Sequence, residues 1–223
     1  QDGAVARYRR VVTGKPGYGA LLLYEIAAAL ISPLPGSLGI RMRRLFMPLL
    51  FEEFGRRVTM ARDVTFRKAD RISIGSNVFI DSGAVLDVKT TAGRIVVGDD
   101  VHIGRHAIIS CPGGTVIIGQ GTRIGDSCRL GSLEGLTIGR NCLLENFVCL
   151  VGAGHEFSAT VLPIIQQPLT CKGPTIIGDN VKICRKTTVL DGVRIGSGVT
   201  IGPGSLVNRN IAQGAMVAGI PAA

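Results

Sequence analysis

An aliphatic side chain returns every six residues through most of this chain. The positions are Ile74, Ile80 and Leu86; Val97, Ile103 and Ile109; Ile118, Ile124 and Leu130; Ile138, Leu144 and Leu150; Ile177, Ile183 and Val189; Ile195, Ile201 and Val207. A helix cannot use that period, because at 3.6 residues per turn residues i and i+6 point in different directions. Short strands with a corner every six residues can. Three hexads then close one 18-residue turn of a prism, and the aliphatics of each turn stack on those of the next. No turn is stable alone. Gly follows many repeat positions, as at Gly75, Gly98, Gly104, Gly119, Gly125 and Gly139, which fits sharp corners. With 31 glycines, no Trp and 46% hydrophobic residues, the 223-residue chain favours a core of stacked small aliphatics over one built round large rings.

First positions of successive triplets lie 23, 21, 20, 39 and 18 residues apart, so extra residues collect at corners and only one insertion is long. Six coils at about 4.8 Å each give a column about 30 Å long. Val58 and Val64 read as the start of a seventh, imperfect coil. The domain reading is residues 1–57 as an N-terminal helical segment and residues 58–223 as the repeat, with an extruded loop at 152–173.

Six consecutive coils resemble the left-handed parallel β-helix of the hexapeptide-repeat acyltransferases, over about residues 58–220. The expected fold class is therefore an all-β solenoid of about six to seven 18-residue coils with an N-terminal α-helical segment. Within that family the bacterial polysaccharide and sugar O-acetyltransferases are the most similar. The resemblance implies acetyl-CoA as donor, no metal, and a carbohydrate acceptor such as a capsule or O-antigen sugar or its precursor. It also implies a homotrimer in the bacterial cytoplasm, at or near the inner face of the inner membrane. Flat prism faces give a physical motive for side-by-side assembly, although only the resemblance fixes the number three.

The long insertion contains "VGAGHEFSATVLPIIQQP" and with it His155. A loop of this length on a tightly stacked solenoid is more often functional than accidental. In the family, a histidine at the start of such a loop is the general base. Gly154-His155 followed by "PIIQQP" and "KGPTIIGDNVKI" is similar to the sugar O-acetyltransferases. Imidazole suits the task, since a sugar hydroxyl attacks a thioester only once a base takes its proton, and imidazole titrates near neutrality. Glu156 and Glu145 are both candidates to hold the ring in the useful tautomer, and sequence does not choose between them.

The stretch "VKICRKTTVLDGVRIGSGVTIGPGSLVNRN" looks like the family's donor region. By position the resemblance assigns Cys184 and Arg185 to the pantetheine arm, Gly202 and Pro203 to the next coil's contact, and Asn208 and Arg209 to the adenine and 3′-phosphate. Lys182 stands where relatives often have Trp, and "VAGIPAA" ends where relatives continue with a basic tail. Relatives often place an Asn in the coil before the histidine, but "GDSCRLGSLEG" has none. Ser127, Ser132 and Glu134 are the substitutes there, and Asn146 on the following coil is another acceptor-binding candidate.

Rival readings start from other residues. His102 and His106 flank Ile103 in outward positions. The related γ-class carbonic anhydrases bind zinc through three histidines, but the spacing to His155 departs from their pattern. Cys149 and Cys171 bracket the loop, and a nucleophilic role would require His155 as partner, whereas small hydrophobes filling repeat positions explain them as well. The rival from another class is a β-helix scaffold whose 152–173 loop binds a partner without catalysis.

The net charge of +9 is uneven: residues 1–71 hold 13 Lys/Arg against 6 Asp/Glu. In that region residues 19–31 read as an apolar helix, Pro33 to Gly36 as a break, and 37–54 as a second helix kinked at Pro48. Leucines beside Arg41, Arg43 and Arg44 suit peripheral contact with an anionic membrane through residues 19–57, or a cap over the open end of the solenoid. Stacking aromatics among the basic residues are scarce, so nucleic acid is not expected. Six cysteines without CxxC pairs read as free thiols in a reducing compartment. The chain starts at Gln1 without signal-peptide order, which reads as a piece of a longer protein.

Overall fold

The computed structural model describes residues 3–15, 17–131 and 133–223. The repeat folds as a parallel β-solenoid with three faces. The first sheet has seven strands, from Glu53–Phe54 to Arg194–Ile195; the second has eight, from Thr59–Met60 to Met216–Val217; the third has seven, from Thr65–Arg67 to Leu206–Val207. Each coil contributes one strand to each sheet. Register keeps like on like: Ile74 pairs with Val97, Val97 with Ile118, Ile118 with Ile138 and Ile138 with Ile177. These side chains are at most 2% exposed, so the core is a continuous aliphatic column. Burying each of them fully is worth about 1.5–3 kcal/mol.

The corners explain the rest of the hexad. After the inward aliphatic comes Gly, then a variable residue, then a residue with positive φ, then a small buried residue. At Gly139 a Cβ would lie 2.5 Å from the backbone of Gly178 in the next coil, so only Gly lets the coils approach to hydrogen-bonding distance. The left-handed position is filled by Asn77, Asp100, Asn141 and Asn180 at the corners between the first and second sheets, with φ between 54° and 59°. Asn and Asp tolerate that conformation best among residues with side chains.

The seventh coil expected at the N-terminal end is present and complete, and it starts at Phe54 rather than at Val58. A complete coil precedes Ile72, built on Phe54, Met60 and Phe66, which pair with Ile74, Ile80 and Leu86. The second helix therefore does not reach residue 54. It runs over Gly36–Phe46, then tightens to a 3₁₀ turn at Met47–Leu49, where Pro48 has no N–H to continue the ladder. Phe54 is then free to take the inward position of the first coil.

Three helices cover that end: α1 (Ala4–Val12), α2 (Tyr18–Ile26, extended by a π turn over Ala27–Ile31) and α3 (Gly36–Phe46). Two buried cations pin them. The guanidinium of Arg43, 2% exposed, donates to the carbonyls of Met60, Ile31, Ser32 and Leu34 at 2.7–3.1 Å. The Ile31 and Ser32 carbonyls close the α2 segment, where helix carbonyls lack partners, and that of Leu34 lies in the break before α3. Lys68 repeats the device on α1. Its Nζ donates to Val11 and Lys89 carbonyls, and its backbone N–H to Val12. Burial lowers the pKa of both cations. Tyr24 and Phe51 pack on Phe66 and seal the column.

Replacing Arg43 by Met leaves four carbonyls without their donor. A loss of about 3 kcal/mol is expected, read as a lower urea midpoint and as faster amide exchange confined to residues 18–49. An unchanged midpoint would mean that the cap is held by apolar packing alone.

Candidate active site

The insertion leaves the solenoid after Leu150 of the third sheet and returns at Thr175 of the first. It forms an antiparallel hairpin, Gly154–His155 against Leu169–Thr170, capped by a compact turn. Gln167 closes that turn from inside. Its buried side chain accepts from Ala159 N–H at 3.3 Å and donates to the carbonyls of Ala159 and Leu162 at 2.9 and 3.1 Å. Its backbone carbonyl lies 2.8 Å from Nδ1 of His155. A carbonyl only accepts, so Nδ1 carries a proton, and in the neutral ring the lone pair falls to Nε2. The ring is half-buried and held in the tautomer a general base requires.

The orienting contact comes from a backbone carbonyl rather than from the expected glutamates. Glu156 accepts the N–H of Phe157 through Oε1. Glu145 lies on another edge of the prism, with Oε2 accepting the backbone N–H of Arg185 at 3.2 Å and Oε1 3.5 Å from Lys182 Nζ. The Arg185 N–H first, and the Lys182 charge after it, hold the Glu145 carboxyl below the usual range, so it stays ionised at neutral pH.

Glu145 belongs to a groove of about 510 Å³ at the corner between the second and third sheets. Asp126, Asn146, Phe147, Arg185 and Lys186 share it, with His102 and Arg123 on its flank. Asn146 accepts the N–H of Asp126 through Oδ1 at 3.0 Å. Cys184 and Arg185 stack on Glu145 and Asn146, and Gly204 donates to the Arg185 carbonyl, which carries the strip on to Gly202 and Pro203. Ser127 is exposed one coil earlier on the same corner, with φ 56°. Asn208 and Arg209 follow the third-sheet strand Leu206–Val207 and so lie on a different edge, where Arg209 donates to the Ala222 carbonyl at 3.1 Å. Ser132 lies outside the described residues.

His155 does not line the groove. One subunit thus separates the imidazole from the strip that carries Glu145, Asn146 and Arg185.

Rival chemistries fit less well. All six cysteines are free, and burial raises the thiols of Cys149 and Cys171, the reverse of what a nucleophile needs. Cys128 is pushed up to about 11 by burial. Ring stacking pairs His102 with Phe79 at 5.0 Å, and His106 occupies a corner with φ 53°. Among the described residues, no three His, Cys, Asp or Glu side chains group as metal ligands.

Phe147 escaped the sequence reading, although its signal was present. It occupies the left-handed position of the hexad, where Asn, Asp or Gly is usual.

Comparison with known proteins follows the same lines. The family profile described as "Bacterial transferase hexapeptide (six repeats)" matches residues 174–209. WbbJ of Escherichia coli K12, which carries the name of a lipopolysaccharide biosynthesis O-acetyl transferase, is 28% identical over 116 residues, covering 49% of this chain and 59% of WbbJ. The bifunctional protein GlmU of Methylococcus capsulatus is 28% identical over 213 residues, covering 78% of this chain and 45% of GlmU. The chain thus spans about half the length of these curated relatives. The N-acyltransferase AntD of Bacillus cereus, crystallised with dTDP and 3-hydroxybutyryl-CoA, superimposes with a TM-score of 0.54 at 19% identity, covering 81% of this chain and 85% of AntD. That likeness is one of fold.

Gln167→Ala is expected to open the turn without unfolding the column. Protease cleavage within residues 156–168 should rise about tenfold while the melting temperature of the solenoid holds. Cleavage at the parental rate would show that the hairpin alone keeps the loop closed. Residues 174–209 match the hexapeptide repeat of the bacterial transferases, and the coils before them keep the same six-residue period.

Proposed function

We propose that this protein is an acetyl-CoA-dependent O-acetyltransferase acting on a carbohydrate hydroxyl, with His155 as general base. One observation carries the reading: the long interruption of the repeat opens with an imidazole whose Nδ1–H is fixed by the Gln167 carbonyl, presenting Nε2. Nε2 takes the proton of the acceptor hydroxyl as the oxygen forms its bond to the thioester carbonyl, and the thiol of CoA leaves. Acetyl-CoA supplies an activated acyl group. The chain's own part is to orient and deprotonate the acceptor; no covalent enzyme intermediate is required.

The donor residues fit in part. Cys184, Arg185, Gly202 and Pro203 form one continuous strip beside the groove, suited to an extended arm, and the exposed Arg209 guanidinium suits a phosphate. Because His155 and the groove occupy different edges, a shared site is the natural reading: a neighbouring copy would bring its imidazole to this subunit's groove. A homotrimer of prisms achieves that for all three subunits at once. Asn146 and Ser127 would then meet the acceptor.

The helical cap supports a place at the inner face of a bacterial membrane. Leu38, Leu45 and Leu49 are 63%, 67% and 59% exposed along one stripe of α3 and its extension, with Arg41 and Arg44 exposed among them. Leu22 and Leu30 continue the apolar surface on the α2 segment. Apolar side chains interleaved with cations suit anionic lipid headgroups. No helix of the described residues is long and apolar enough to cross a membrane.

His155→Ala should lower acetyl transfer to a sugar acceptor by about 10²-fold or more while CoA affinity and melting temperature hold. Turnover at nearly the parental rate removes the base from this mechanism, and no thioester consumption by the parent favours a binding scaffold. On vesicles, the double change Leu38→Ser with Leu45→Ser should abolish co-sedimentation with phosphatidylglycerol, as should about 0.5 M salt for the parent. Equal binding to neutral phosphatidylcholine would refute the anionic surface.

A further inference from the structure

We infer that Phe147 is a stacking platform for the apolar face of a pyranose ring, and so a specificity-determining residue of the groove. The inference rests on the acceptor reading above and names the chemistry that the groove recognises.

Local backbone energetics start the argument. Phe147 has φ 63°, in the left-handed region, where a bulky side chain is strained. Equivalent corners between the second and third sheets carry Asp63, Gly83, His106, Ser127, Lys186 and Gly204. Across the described residues, Phe147 is the one apolar side chain with positive φ. Folding does not ask for a ring here. The backbone N–H of Phe147 donates to the Asp126 carbonyl at 2.9 Å, and any residue could make that bond. Nor does the core gain, because the ring is 56% exposed at the groove.

An aromatic ring kept at a strained corner, outside the core, needs a reason beyond stability. Its neighbours supply one. Asn146 has Oδ1 committed to Asp126, so its NH₂ is the group with hydrogens to offer a ligand. Arg185 and Lys186 add donors, and Glu145, held ionised, adds an acceptor. A pyranose presents a face of axial C–H bonds and a rim of hydroxyls. The negative face of an aromatic ring attracts the former, and the surrounding polar groups pair with the latter. A pyranose chair matches this pairing of one exposed aromatic with convergent polar groups.

The chain contains no Trp, so Phe147→Trp installs a single indole emitter in the groove. Titration with the methyl pyranosides of glucose, galactose, mannose, N-acetylglucosamine and rhamnose should give a saturable emission change with at least one. Ligand-observed NMR on the unaltered chain should find the same sugar. Phe147→Asn should weaken it about tenfold, leave CoA affinity unchanged, and raise the melting temperature by about 2 °C or more as the corner relaxes. Three results would each overturn the platform: no saturable sugar in either measurement, equal sugar affinity in Phe147→Asn, or a change confined to oligomeric state, which would make the ring a subunit contact. Sugar binding without thioester consumption would instead retire the acetyl-transfer reading and leave the platform standing.

Discussion

The vertical stacking of inward aliphatics is the constraint on which everything else rests. Each coil lays its inward side chains directly on their counterparts in the coils above and below. Ile103, for example, lies between Ile80 and Ile124 in the second sheet. Burial, register and backbone hydrogen bonding are therefore a single decision. A slip of one residue would expose the entire column, and a larger residue at a corner Gly would hold two coils apart. Such an architecture is rigid along its length, which is what a site assembled from several corners requires.

A column built this way has an end to protect, and the chain protects it electrostatically as well as with apolar cover. Arg43 and Lys68 each gather carbonyls that helix geometry leaves without partners. The penalty of burying a cation is offset by satisfying several acceptors at once, and breaking either arrangement is costlier than a surface ion pair. The same segment carries leucines on its outer face. Covering the solenoid occupies only the inner side of these helices, so the lipid contact proposed above would fall to their opposite side.

Fold was far more legible in the sequence than site. Ile74 to Val207 announced their faces because period six has one structural solution. Phe54, Met60 and Phe66 keep the same period but were hidden, since rings and thioethers do not stand out as aliphatic beats and Pro48 drew attention to a helix. His155 was legible through the break in rhythm, whereas the partner of its Nδ1 was not: a backbone carbonyl has no sequence signature, and Gln167 is twelve residues away. Glu145 and Arg185 meet through the stacking of coils forty residues apart in sequence. The second and third sheets define their edge only once the corners are built, so the groove could not be read before the fold.

The solenoid closes ranks across its interruption. Leu150 pairs with Val189 in the same parallel register as Leu130 with Leu150, as though nothing had been inserted between them. The hairpin consequently hangs outside the cooperative unit. Loop-closure entropy grows only logarithmically, about 0.6 kcal/mol for each doubling of length, so residues can be added to or removed from this excursion at little thermodynamic penalty. Evolution could then rewrite what the excursion grips, generation after generation, without renegotiating the stability of the column that carries it.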